Sequence, residues 1–182
     1  MKSEKFVKEL LDWLLHIALA VAFTFLIINF VGQFTVVQGN SMLPTLKSNS
    51  VLVIEKLTKR FGTIKQGDIV VVKIPDLLGD GKTYAVKRII AKEGHNVIIK
   101  DGKVFVDSIE LTEVYKNGTG TQATEGMYDD ITVPENCIYI LGDNRLPGAS
   151  RDSRTFGPIS ADRIEGKVIF RLFPFSELGR IK

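Results

Sequence analysis

Cysteine and histidine are nearly absent from this chain, and no block of like charge occurs in it. Each scarcity removes a class of function. The single cysteine, Cys137, cannot close an internal disulfide, and no C-x-x-C pair or His/Cys cluster is present to hold zinc. The fold must therefore be held by its core, and nothing in the residues calls for a metal or another cofactor. Of the two histidines, His16 lies inside an apolar run and His95 in the loop KEGHN, so a hydrolase built on imidazole has one candidate base. Lys+Arg number 24 against 21 Asp+Glu, a formal charge of +3, without a basic run or interleaved Arg and aromatic residues. That balance argues against nucleic acid as a partner. A length of 182 residues suits one main domain with attachments.

One long uncharged stretch is present. WLLHIALAVAFTFLIINFVG, Trp13 to Gly32, is interrupted only by His16, Thr24, Asn29 and Gly32. About 20 apolar residues cross a bilayer as a helix, and Trp13 stands where an interfacial aromatic belongs. A buried core helix would show a polar stripe, which this segment lacks. A cleavable signal would end at its small residues, yet Ala18-Leu19-Ala20 lies mid-segment, which favours an uncleaved signal-anchor. Lys2, Lys5 and Lys8 precede the run and the next cation is Lys47, so the positive-inside bias orients the N-terminus to the cytoplasm. The expected organisation is a cytoplasmic segment 1–12, a single transmembrane helix 13–32 in the plasma membrane, and an extracytoplasmic domain 33–182.

Beyond the anchor the pattern becomes short β-rich runs separated by Gly, Pro, Asn and Asp. FTVVQG, SVLVIEKL, GDIVVVKIP, TYAVKRIIA, NVIIK, KVFVD, CIYILGD and KVIFRLF are candidate strands. They predict a mainly β domain, antiparallel and coiled or barrel-like. In NVIIKDGKVFVD, Asp101-Gly102 supplies the turn of a two-residue hairpin. Residues 112–132 are Gly/Thr-rich and read as a long loop or a ragged extension of that hairpin, the whole spanning about 95–132.

In GNSMLPT, residues 39–45, Gly39 and Pro44 put Ser41 at a strand-to-turn transition. Alone, this is an ordinary turn serine, because a hydroxyl needs an adjacent base to become a nucleophile. His95 has no visible reason to meet it, and Cys137 at the head of CIYIL reads as a small buried hydrophobe. Lysine is the alternative base. In TYAVKRIIA a period of two sets Ala85, Lys87, Ile89 and Ala91 on one face and Tyr84, Val86, Arg88 and Ile90 on the other. If the first face is buried, desolvation lowers the Lys87 pKa toward that of a general base. If it is not, Lys87 is a solvated or snorkelling lysine, and periodicity does not choose between them. The segment LGDNRLPGASRDSRTFG, 141–157, reads either as a solvated loop or as a network in which Asp143 and Asp152 hold Arg145, Arg88 or Arg154 and Ser150 or Ser153 orients a neighbour. Metal binding by these carboxylates is the weaker reading, since the arginines compete for them.

The ordered set GNSMLPT, GDIVVVK, YAVKRIIAKEG and GDNR…SRDSRTFGPI, behind an N-terminal anchor, resembles the bacterial type I signal peptidases from about Ser3 to KVIFRLFP. The resemblance implies a membrane-bound serine endopeptidase that removes signal peptides from exported preproteins, cutting after small residues of an Ala-x-Ala site. It implies Ser41 as acylated nucleophile and Lys87 as neutral general base, with Ser150 hydrogen-bonded to that lysine. Asp152, Arg154, Asp143 and Arg88 are the implied supporting residues, and Val37, Met42, Leu46 and Val86 the implied lining of shallow pockets. Secreted preproteins and the lipid bilayer are the implied partners, with the export translocon nearby. Two departures stand out. Leu146 to Ala149 separate GDNR from S-x-D-S-R by two residues more than the family's usual spacing, and Gly39 occupies a position where some members carry an oxyanion-binding serine. Two rival readings remain at this level: a narrow-client, pilin-type signal peptidase, and an inactive membrane-anchored module that binds extended peptides.

Overall fold

The computed structural model describes residues 2–26, 32–58, 64–79, 81–122 and 128–181. Helix α1 runs from Lys2 to Leu26, so it begins well before Trp13, and the last residues of the apolar run, 27–31, lie outside the described residues. Its Lys5–Leu26 portion, with mean hydropathy 1.7, is long and apolar enough to cross a membrane. Every described side chain on that portion is exposed.

The rest is antiparallel β, in two sheets. The larger contains β1 (Gly32–Val36), β2 (Val51–Glu55), β3 (Ile69–Lys73), β4 (Tyr84–Lys92), β9 (Cys137–Leu141), β10 (Ile159–Ser160), β11 (Ile164–Phe173) and β12 (Gly179–Arg180). Its order is β1-β2-β11-β3-β4-β9-β10, with β12 on β11. The smaller, β7-β6-β5-β8, joins β5 (Asn96–Lys100), β6 (Lys103–Val106), β7 (Ile109–Glu110) and β8 (Asp130–Thr132). The expected hairpin is present, with φ of 51° at Asp101 and 77° at Gly102, the left-handed pair that its turn requires. The weakly patterned stretch 112–132 contributes one strand, β8, on the other side of β5. Val97, Ile99 and Val104 of the small sheet share a core cluster with Ile90, Ala91, Tyr139 and Leu141 of the large one, so apolar packing joins the two.

The sequence explains how the large sheet is filled and bent. Central β3, IVVVK, is buried at Ile69 to Val72 because it lies between β11 and β4 and is covered on both faces. In β2 only Leu52 and Ile54 are fully buried, the alternation of a strand with one face on the core. Register shifts interrupt β11 near Ile164–Gly166, Val168–Phe170 and Arg171–Phe173, and β4–β9 between Ile89 and Ala91. Such bulges add an unpaired residue and increase local twist, which curls the sheet. The β4 bulge also corrects the expected face assignment. Ala85 and Ile89 pack in one cluster, but Ala91 joins Ile90 in another, because the extra residue breaks the period of two.

Candidate active site

Ser41 stands just beyond the end of β1. Val37 prolongs the pairing through Val37 N–H to Ser50 O at 2.9 Å, and Gly39, with φ of +95°, turns the chain. Helix-like turns follow, with Leu43 N–H donating to Asn40 O and Leu46 N–H to Met42 O. Across from this turn lies the first half of β4. Residues Tyr84 to Lys87 pair with β3, whereas pairing with β9 begins only at Arg88, so the near edge of β4 is uncovered up to Lys87. The curl of the sheet brings these two segments to opposite walls of a cleft of about 560 Å³. Residues 35–42 form one wall and 82–87 the other, with Gly148, Ala149 and Arg151 at its rim.

At the closed end, Lys87 Nζ lies 2.7 Å from Ser41 Oγ. Lys87 is 3% exposed. Burial disfavours its ammonium form and pushes the pKa down to about 8; the charges of Asp152 and Asp143 pull it up, and those of Arg154 and Lys82 push it further down. Among the described residues no carboxylate forms an ion pair with it.

Behind the lysine, the Asp/Arg segment forms the ordered network that was one of its two sequence readings. Arg88 makes a bidentate contact with Asp143, 2.9 Å from Nε to Oδ1 and 2.7 Å from Nη2 to Oδ2, and lies 3.8 Å from the centre of the Tyr115 ring. Thr45 also donates to Asp143. Arg154 is paired in the same way with Asp152, both contacts at 2.9 Å. Burial alone would raise the Asp152 pKa, but the hydrogen bonds and charge of Arg154, the Gly142 N–H and the nearby Lys87 outweigh it and hold the carboxyl below its usual range.

Ser150 donates to Asp152 Oδ2 at 2.7 Å; its implied hydrogen bond to Lys87 is not formed. The one hydroxyl proton of Ser150 goes to the anionic acceptor two residues away. The spacer 146–149, two residues longer than the family's usual one, forms a turn closed by Ala149 N–H to Leu146 O. Gly142 is where these strands of chain meet. A Cβ there would collide with Ser150 Oγ and with the Ser41 carbonyl oxygen, so only glycine lets the loop pass behind the serine.

Of the expected pocket residues, Val37, Met42 and Val86 line the cleft. Leu46 does not. It is fully buried in the core with Leu52, Ile54 and Val168, because the turn from Met42 to Leu46 points it inward. His95 pairs with Asp107 on the surface, away from the cleft lining. No group of His, Cys, Asp and Glu able to hold a metal occurs among the described residues.

Sequence reasoning missed the support that comes from residues 113–121. Arg145 does not pair with Asp143 or Asp152; its guanidinium is held by Glu113 and Thr121, and its Nε donates to Gly142 O at 2.7 Å. Asn117 bridges to Asn144, with Asn117 N–H on Asp143 O at 2.8 Å and Arg145 N–H on Asn117 O at 3.0 Å. The only available signal was a lone acidic residue in a Gly/Thr-rich loop, which does not name its partner.

Comparison with known proteins identifies the family of the chain. The family model described as signal peptidase, peptidase S26, matches residues 10–173. Signal peptidase I T of Bacillus subtilis is 33% identical over 188 residues, covering 99% of this chain and 94% of that protein. Signal peptidase I of Bacillus caldolyticus is 35% identical over 160 residues, covering 82% and 84% respectively. Signal peptidase IB of Staphylococcus aureus is 32% identical over 184 residues, 93% of each.

Proposed function

This chain belongs to the signal peptidase family S26 and is a serine endopeptidase that cleaves signal peptides, and we propose that it does so with Ser41 as nucleophile and Lys87 as general base, anchored in the membrane by α1. The observation that carries this reading is a buried lysine, 2.7 Å from a serine at the end of an open cleft, with no carboxylate in ion-pair contact with it among the described residues. Neutral Lys87 takes the Ser41 proton as Oγ attacks the scissile carbonyl, and the resulting ammonium returns a proton to the leaving amine. A water then attacks the acyl-enzyme as Lys87 accepts its proton, and as the acyl–Oγ bond breaks the ammonium returns that proton to Ser41 Oγ, regenerating both groups. The Ser41 N–H is the donor for the oxyanion, and Gly39 contributes no hydroxyl.

The substrate enters as an extended strand between the uncovered edge of β4 and residues 37–39, an instance of β-augmentation. Val37, Met42 and Val86 leave shallow apolar space suited to alanine on either side of one intervening residue, and exclude bulk sterically. Helix α1 sets the cleft near the bilayer. Phe30, near the end of the apolar run, lies eleven positions before Ser41 in the sequence, so the serine is within about 40 Å of it even in a fully extended chain. With the lysines of the first turns on the cytoplasmic side, the β domain is extracytoplasmic, facing preproteins as they leave the translocon.

The test is cleavage of a preprotein whose signal ends in Ala-x-Ala by the detergent-solubilised full chain, with Ser41→Ala and Lys87→Ala beside it. Cleavage at that site lost in both variants supports the assignment. Cleavage retained by either variant removes that residue from the mechanism.

A further inference from the structure

Asn144 makes two contacts that converge on the backbone around Ser41. Its side-chain Nδ2 donates to Asn40 O at 2.9 Å, and its main-chain N–H donates to Ser41 O at 3.0 Å. These carbonyls belong to the two peptide planes that flank the Ser41 Cα. A trans peptide is planar, with its C=O and N–H pointing in opposite directions. Asn40 O also accepts from Leu43 N–H at 3.2 Å, and the shorter bond from Asn144 completes its hold, which turns the Ser41 N–H to the opposite side. Among the described residues that N–H has no acceptor, which is the condition expected of a donor reserved for a ligand. Fixing both planes also fixes the backbone torsions of Ser41, and with them the direction of its Cα–Cβ bond.

The clamp is itself held. Asn144 is 4% exposed, and its Oδ1 accepts from Asn117 Nδ2 at 3.3 Å and from Leu146 N–H at 3.4 Å. With Oδ1 occupied as acceptor on one side, Nδ2 is left to face the Asn40 carbonyl on the other, so the amide orientation is determined by its partners. Residues 113–121 thus reach Ser41 by a defined route, through Asn117 and Asn144.

We infer that Asn144 is a positioning residue for the oxyanion site: its side-chain amide orients the Asn40–Ser41 peptide so that the Ser41 N–H meets the developing oxyanion, without itself touching substrate. The inference rests on Ser41 being the nucleophile. It separates two functions of one residue, since the main-chain bond to Ser41 O survives any substitution of the side chain whereas the bond to Asn40 O does not.

The test uses the full chain in detergent with Asn144→Asp, which keeps nearly the same volume and the Oδ1 acceptor but loses the donor to Asn40 O. Asn144→Ala serves as the second variant should the first not fold, and either is compared with wild type by melting temperature. Three quantities are measured: kcat and KM on a preprotein, the affinity of a peptide aldehyde whose hemiacetal with Ser41 carries an oxyanion, and the affinity of the same peptide as an unreactive amide. The expected result is a fall in kcat and in aldehyde affinity by the same factor, about 10- to 100-fold, below the loss from deleting an oxyanion donor outright. KM, the amide affinity and the pH at which activity rises stay as in wild type. An unchanged kcat, or a kcat that falls while aldehyde affinity is kept, overturns the inference. Ser41→Ala is run in parallel: if it still cleaves, the nucleophile assignment fails. If it is inactive while both Asn144 variants match wild type, only the role of Asn144 fails.

Discussion

Among the described residues four cations are buried around the closed end of the cleft, and they divide by region. Behind the serine, Arg88, Arg145 and Arg154 each meet a carboxylate, on Asp143, Glu113 and Asp152. In front, Lys87 meets only the Ser41 hydroxyl. A buried cation with a partner stays charged and organises its neighbours, whereas one without a partner is pushed toward neutrality. The same low-dielectric interior thus produces a rigid brace in one region and a base in the other. Residue type matters too, because a guanidinium does not lose its proton in proteins and an ammonium does when desolvated.

Removing the unpaired cation should have the largest effect on activity. Lys87→Met is expected to lower kcat/KM by about 10²–10⁴-fold, the range for loss of general-base catalysis. The same substitution should raise stability. The Lys87 pKa of about 8 lies below the ordinary lysine value of 10.5, so burying the charge costs about 3 kcal/mol of folding stability at neutral pH. That cost is complete below pH 8 and fades as pH rises toward 10.5, so the advantage of Lys87→Met in denaturant unfolding should shrink over that interval.

Breaking the brace should act in the opposite sense on stability. Asp143→Ala removes the carboxylate that faces the buried Arg88 and is expected to destabilise by about 3–5 kcal/mol, measured by denaturant unfolding. Glu113→Gln, which keeps the shape but removes the charge opposite Arg145, should fall in the lower part of that range. If it instead costs nothing, residues 113–121 are not a brace. The smallest effect is expected at Ser150. Ser150→Ala removes one hydrogen bond to Asp152 and should cost about 1 kcal/mol in stability. Because Ser150 does not contact Lys87, the rising limb of the pH profile should stay where it is.

The front of the site was legible in the sequence and the back was not, for a physical reason. A shortage of histidine leaves Lys87 as the base to consider, and the β period puts it beside Ala85 and Ile89; that pattern alone leaves burial and exposure equally open, and the ordered motifs of the resembled family single it out. Arg145 and Glu113 sit 32 positions apart, and the second lies in a loop without period, so no local pattern records that they meet. Leu46 and Ser150 show a further limit: each stands at its motif position, but a turn directs one into the core and a nearer carboxylate captures the other. Gly142 was not legible either, since the groups that require a glycine there, Ser150 Oγ and the Ser41 carbonyl, are visible only in three dimensions.

The most direct test of the central claim is the pH dependence of kcat/KM for wild-type cleavage of an Ala-x-Ala preprotein by the detergent-solubilised chain. If a buried, unpaired Lys87 acts as base, the rate rises tenfold per pH unit and levels near pH 8, where the lysine becomes neutral. A profile that is flat from about pH 6 to 9, or that keeps rising toward the ordinary lysine pKa near 10.4, would contradict it.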